Sequence, residues 1–149
     1  MPIYGIVLTA CIPMLMGTGG NAGSQASAMI IRGLAIGEVS FADFWKVVWK
    51  ELRVSILLGA ILSVACFGKV MLFDKLYAVP NGTLVGIVIS VSLLVTIVIA
   101  KLIGAMLPLL AKKLRLDPAV LASPFITTIV DVLSLIVYCA FAITLLGTL

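Results

Sequence analysis

The 149-residue sequence contains no histidine, only six acidic residues and three cysteines. Without histidine the chain lacks the commonest general base and metal ligand. Cys11, Cys66 and Cys139 all fall inside apolar runs. An odd count at unrelated spacings gives neither a disulfide frame nor a thiolate metal site. Charge is scarce too. Charged residues make up 11% of the chain and apolar residues 63%, whereas a soluble domain is about 25% charged. A mean hydropathy of +1.33 with several long apolar runs describes an all-α, polytopic membrane protein, a single domain over residues 1–149. Met1 leads into apolar sequence without a basic n-region, so no cleavable signal is expected. The net charge of +4 gathers in two loops instead of one patch. That pattern excludes a nucleic-acid footprint and leaves the lipid bilayer as the partner. No nucleophile–base pair is present, so the chain is not expected to be an enzyme.

The apolar pattern gives four spans, about 3–36, 54–73, 83–110 and 119–147. Pro13 predicts a kink in the first, and GTGGNAGSQ (17–25) predicts close approach by a neighbouring helix. If helical throughout, this span places Thr18, Asn21, Gln25 and Arg32 on one face. The stretch FADFWKVVWKELR (41–53) interleaves aromatic and basic residues behind a capping Ser40. It suits the membrane–water interface, as a short interfacial helix over about 41–52 or as the lead-in to a span. Ser55, Gly59 and Ser63 recur every four residues in the second span, as do Ser92, Thr96, Ala100 and Gly104 in the third. Each row predicts a small-residue seam for tight helix packing.

The last span carries one charge, Asp131. At a helical rise of 1.5 Å it lies about 21 Å from Asp117 and about 27 Å from Leu149, well inside a hydrocarbon core about 30 Å thick. A carboxylate at that depth is costly and faces a cavity, an ion or a partner. Ser123, Thr127, Asp131, Ser134 and Tyr138 share an arc of roughly 80°, so this helix reads as one side of a polar path. The alternative is a packing helix whose hydroxyls bond their own backbone. Lys101 lies at similar depth in the third span, where it could pair with Asp131 or snorkel to an interface.

Arg32, Lys46, Lys50 and Arg53 occupy the first loop and its flanks, and Lys112, Lys113 and Arg115 the third. The 69–82 loop has only Lys69 and Lys75. By the positive-inside rule the two richer loops are cytoplasmic and both termini external. No inverted repeat stands out between the halves.

Two blocks carry a family signature. IPMLMGTGGNAGSQASAMIIRGLAIGE (12–38) and LIGAMLPLLAKKLRLDPAVLASPFITTIVDV (102–132) closely resemble the two conserved blocks of the MgtE magnesium-transporter membrane domain. The resemblance covers essentially the whole chain. It implies a homodimer in a prokaryotic inner membrane, with an ion pore along the dimer axis lined by the helices that carry the two blocks. Asp131 matches the pore aspartate that recognises a largely hydrated Mg²⁺, and the Thr127 carbonyl matches a backbone oxygen that helps hold it. Asn21 matches a pore-side amide. Thr18, Gly20, Gln25, Ser123 and Ser134 are then pore-lining positions. The chemistry is consistent, because Mg²⁺ favours hard oxygens and keeps its waters. The same donors suit Mn²⁺, Co²⁺ and other divalent cations.

Three departures from the family pattern stand out. The soluble regulatory region, with its paired CBS domains, is not in this chain, and the first of the family's five spans is not matched. Lys101 corresponds to no pore residue of the family. A divalent-cation channel or transporter is the leading expectation. A carrier coupled to H⁺ or Na⁺ at Asp131, with Lys101 as its exchange partner and including an efflux role, is the alternative. A non-conducting scaffold is the third class.

Overall fold

The computed structural model describes the backbone of residues 3–77, 81–118 and 123–146. Among them are four long helices: α1 (Ile3–Ala35), α2 (Phe44–Tyr77), α3 (Gly82–Lys113) and α4 (Ser123–Leu146). Each contains a window long and apolar enough to cross a membrane, and no strand occurs among the described residues. The 33 residues of α1 extend about 50 Å, more than the hydrocarbon thickness.

Of the two readings of 41–53, the backbone follows the lead-in to a span and not a separate short helix. A 3₁₀ turn (Phe41–Asp43) leads directly into α2, which continues to Tyr77. No Gly or Pro lies between Phe44 and Leu58 to end the helix. Asp43 secures the start, accepting hydrogen bonds from Ser40 Oγ at 2.8 Å and Lys46 Nζ at 3.1 Å. The glycine-rich run of α1 is likewise helical throughout, with Pro13 inside it.

Two turns stop their helices by the same device. Gly37 has φ +75°, and Glu38 N–H reaches back to the Gly33 carbonyl at 3.0 Å. After α3, Arg115 takes φ 58°, while Leu116 N–H reaches the Ala111 carbonyl at 2.9 Å and Arg115 N–H that of Lys112 at 3.2 Å. Both satisfy terminal carbonyls through a left-handed residue, which suits glycine and strains arginine.

Helix α3 is the axis of the bundle and packs against the three other helices. Its row Ser92, Thr96, Ala100 and Gly104 is buried, as are Ser55, Gly59 and Ser63 of α2. Both seams read from the sequence form. Gly59 packs on Leu94, and Ser63 Oγ donates to the Ser90 carbonyl at 2.8 Å. The closest crossing is Gly104 over Gly23, where a Cβ on Gly104 would overlap the Gly23 carbonyl. The apolar core runs along these contacts through Leu15, Val85, Ile89, Ile97, Ile126 and Val130. At one end Lys113 Nζ lies 4.4 Å from the centre of the Phe41 ring. The two basic loops therefore share one end of the bundle.

Candidate ion-binding site

The glycines of the first block decide how α1 meets α3 and α4. A Cβ at Gly19 would come within 2.7 Å of Thr96 Cγ2, 3.0 Å of Val130 Cγ1 and 3.1 Å of Ser134 Oγ. One at Gly23 would come within 3.0 Å of the Ala100 carbonyl. Removing the side chains at these two positions, one helical turn apart, lets α1 sink between its neighbours. Gly20, turned about 100° from Gly19, faces the site itself. A Cβ there would meet Thr127 Cγ2 at 3.2 Å and Asp131 Oδ1 at 3.6 Å. The two sequence blocks thus converge on one point, with the backbone of α1 directly against Thr127 and Asp131.

Thr127 and Asp131 are partly buried at the edge of the α1–α4 contact. Asn21 and Gln25 are exposed on α1, with Gly17 in the same row. Thr18 lies on the α2 side of this face, lining a cavity with Leu62, Cys66 and Lys69 of α2. It is not brought to Asp131. Ser134 and Tyr138 turn inward. Ser134 is buried and donates to the Val130 carbonyl at 2.6 Å. Tyr138 Oη donates to the Leu8 carbonyl at 2.8 Å and ties α4 to α1. The Ser123 side chain lies outside the described residues.

The hydroxyls of Thr127 and Thr128 both donate to the Pro124 carbonyl, at 2.9 and 2.8 Å. Part of the polar arc therefore bonds its own backbone, as the packing-helix alternative anticipated. Asp131 has no such bond among the described residues. No group of three acidic or Cys side chains able to cage a metal occurs among those residues.

Lys101 is not beside Asp131. Its Nζ donates to Glu51 Oε2 at 2.9 Å, with both residues buried in the α2–α3 contact. Glu51 is the site-level residue the sequence reading passed over. The signal was present: Val47, Glu51, Ser55, Gly59 and Ser63 form one row spaced by four, so the α2 seam continues through the acid to the helix start. Pairing meets the requirement that a buried charge find an opposite one.

Comparison with known proteins identifies the family. The family described as MgtE, divalent cation transporter, matches residues 12–141. A magnesium transporter MgtE of Thermus thermophilus is 39% identical over 135 residues, covering 91% of this chain and 28% of that protein. One of Bacillus subtilis is 33% identical over 144 residues, covering 97% and 31%. One of Enterococcus faecalis is 33% identical over 132 residues, covering 89% and 28%. The chain spans less than a third of the length of these relatives. With both blocks inside the matched region and its helices converging on Asp131, the chain belongs to the MgtE family of divalent cation transporters.

Proposed function

We propose that two copies of this chain form a pore for largely hydrated Mg²⁺, with their Asp131 carboxylates facing each other across the axis. The observation that carries the reading is the seat of Gly20 against Thr127 and Asp131, which puts a carboxylate and helix backbone from both blocks at one membrane depth. The relatives' description as magnesium transporters supports Mg²⁺ as the cargo. A single carboxylate per chain is a poor inner cage, but Mg²⁺ retains water and is commonly held by one or two carboxylates. Two Asp131 side chains and Thr127 carbonyls supply an outer shell, and a carboxylate pair favours cations over anions.

The second copy has its own support. Asn21 and Gln25 are exposed in the middle of a helix apolar enough to span the membrane. Polar groups facing lipid are unfavourable, whereas the same groups facing a water-filled interface are solvated. The positive-inside rule sets the orientation, with the 36–40 and 114–118 connections cytoplasmic and both ends of the chain external in an inner membrane.

Liposomes loaded with a Mg²⁺-sensitive dye test the reading. Wild-type protein admits Mg²⁺ down its gradient, and Asp131→Asn, incorporated to the same level, loses that flux. Equal flux in the variant overturns it. Flux that requires an opposing H⁺ or Na⁺ gradient replaces the channel with a coupled carrier.

A further inference from the structure

The last turns of α1, the 36–40 connection and the first turns of α2 enclose an open cavity of about 280 Å³. Its lining is amphiphilic. Arg32, Glu38 and Lys50 contribute charges, Met29 contributes apolar surface, and Glu51 lies buried among the lining residues. The Glu51 charge is already balanced by Lys101 at 2.9 Å. Arg32 and Lys50 are both exposed, and neither has an ion-pair partner among the described residues. Two cations against the single carboxylate of Glu38 leave the cavity with surplus positive charge.

The depth of this cavity can be read from α2. Trp45 and Trp49, one turn apart, are 78% and 59% exposed, and the Arg53 guanidinium sits 5.9 Å from the Trp49 ring centre. Outward-facing tryptophans on a spanning helix mark the headgroup layer. Lys50 is adjacent to Trp49 in sequence. Met29, 61% exposed, is one turn deeper along α1 than Arg32. The arrangement therefore has cations at headgroup level and apolar surface directly beneath, open to the bilayer.

We infer that this cavity seats an anionic phospholipid, its phosphate between Arg32 and Lys50 and an acyl chain descending past Met29. Glu38 accepts a hydrogen bond from a hydroxylated headgroup such as glycerol. A free phosphate would use the cations and leave the apolar wall unoccupied. A zwitterionic lipid would leave the surplus charge uncompensated. Basic pockets between spanning helices are an established way to hold anionic headgroups. Arg32 continues the α1 face of Asn21 and Gln25, so the inference rests on the proposed pair of chains leaving the Met29 flank of this end open to lipid. Lost lipid retention with intact Mg²⁺ flux fails the inference and not the pore.

The test is lipid titration of the purified full chain in detergent, read by native mass spectrometry, with phosphatidylglycerol, phosphatidylethanolamine and phosphatidylcholine in parallel. Phosphatidylglycerol is expected to be retained preferentially. Arg32→Gln and Lys50→Gln are each expected to weaken it about fivefold, and the pair about 25-fold. Arg32→Lys retains binding, and so does Lys69→Gln, which alters a cation outside this cavity. Should the paired variant not fold, Met29→Asp puts a charge against the apolar acyl chain and must also weaken retention. Undiminished binding in the variants, equal retention of the zwitterionic lipids, or displacement by excess inorganic phosphate overturns the inference.

Discussion

Lys101 of α3 and Glu51 of α2 meet at 2.9 Å inside the bundle, both almost wholly removed from solvent. The pair explains how a lysine resides at span depth in a cation-transporter family without opposing the cargo. Its charge is matched on the α2 side of α3, away from Asp131. Removing one partner leaves the other charge buried and alone, which costs about 3–5 kcal/mol. Lys101→Met and Glu51→Gln are each expected to lower the detergent melting temperature markedly, while Lys101→Met with Glu51→Met recovers most of the loss. Neither the single nor the double change raises Mg²⁺ flux per folded protein. A rise in flux with Lys101→Met would show the lysine to be a plug.

Asp131→Asn separates transport from folding. The carboxylate has no hydrogen-bonded or ion-paired partner among the described residues, so the isosteric amide removes charge and little else. Melting within about 0.5 kcal/mol of wild type and Mg²⁺ flux reduced at least about tenfold are the expected results. A tenfold flux loss corresponds to about 1.4 kcal/mol in the barrier to passage. Dye-loaded liposomes and a melting scan on the same preparation check both.

Gly104→Ala examines the closest helix crossing. The added methyl overlaps the Gly23 carbonyl, and backbone cannot move aside as a flexible side chain would. Overpacking of this kind costs about 1–3 kcal/mol. Because Gly23 shares its helix with Gly20, displacement of α1 also reaches Thr127 and Asp131. Reduced flux together with reduced melting temperature is expected, in contrast to the flux-only loss of Asp131→Asn.

Thr96→Val tests the opposite sign. The Thr96 hydroxyl is buried with no hydrogen-bond partner among the described residues, and an unsatisfied buried polar group costs about 1–3 kcal/mol. The near-isosteric valine keeps the methyl that packs toward Gly19. Unchanged or higher melting temperature is expected. A clear loss of stability would mean that the hydroxyl makes a bond to a water or partner in the membrane.

Much of this arrangement was legible in the sequence because it follows from periodicity. The two small-residue seams rest on residues spaced by four along helices and the spans on long apolar runs. The juxtaposition of the glycine block with Asp131, in contrast, came from the resemblance of the two blocks to the family. Pairings between helices were harder to read. Lys101 and Asp131 sit at similar depth, but depth says nothing of direction around the bundle, and α3 turns Lys101 toward α2. Thr18 shares a broad helical face with Asn21 and Gln25, yet it borders α2, since it lies at the α2 edge of that face, about 60° from Asn21. The continuity of 41–53 with α2 was left open between two readings for another reason. Aromatic and basic residues advertise an interface, but only a helix breaker would have ended the segment there.

The two hydroxyls that share the Pro124 carbonyl also set the polarity of the surface they present. A hydroxyl has one proton, and in Thr127 and Thr128 it is directed back along the helix. What remains outward is lone-pair density. An approaching chloride or phosphate finds no donor from these threonines, while a hydrated cation can offer its water protons to the same oxygens. In the proposed pore, the Thr127 oxygen would therefore favour cations one helical turn before the carboxylate is reached.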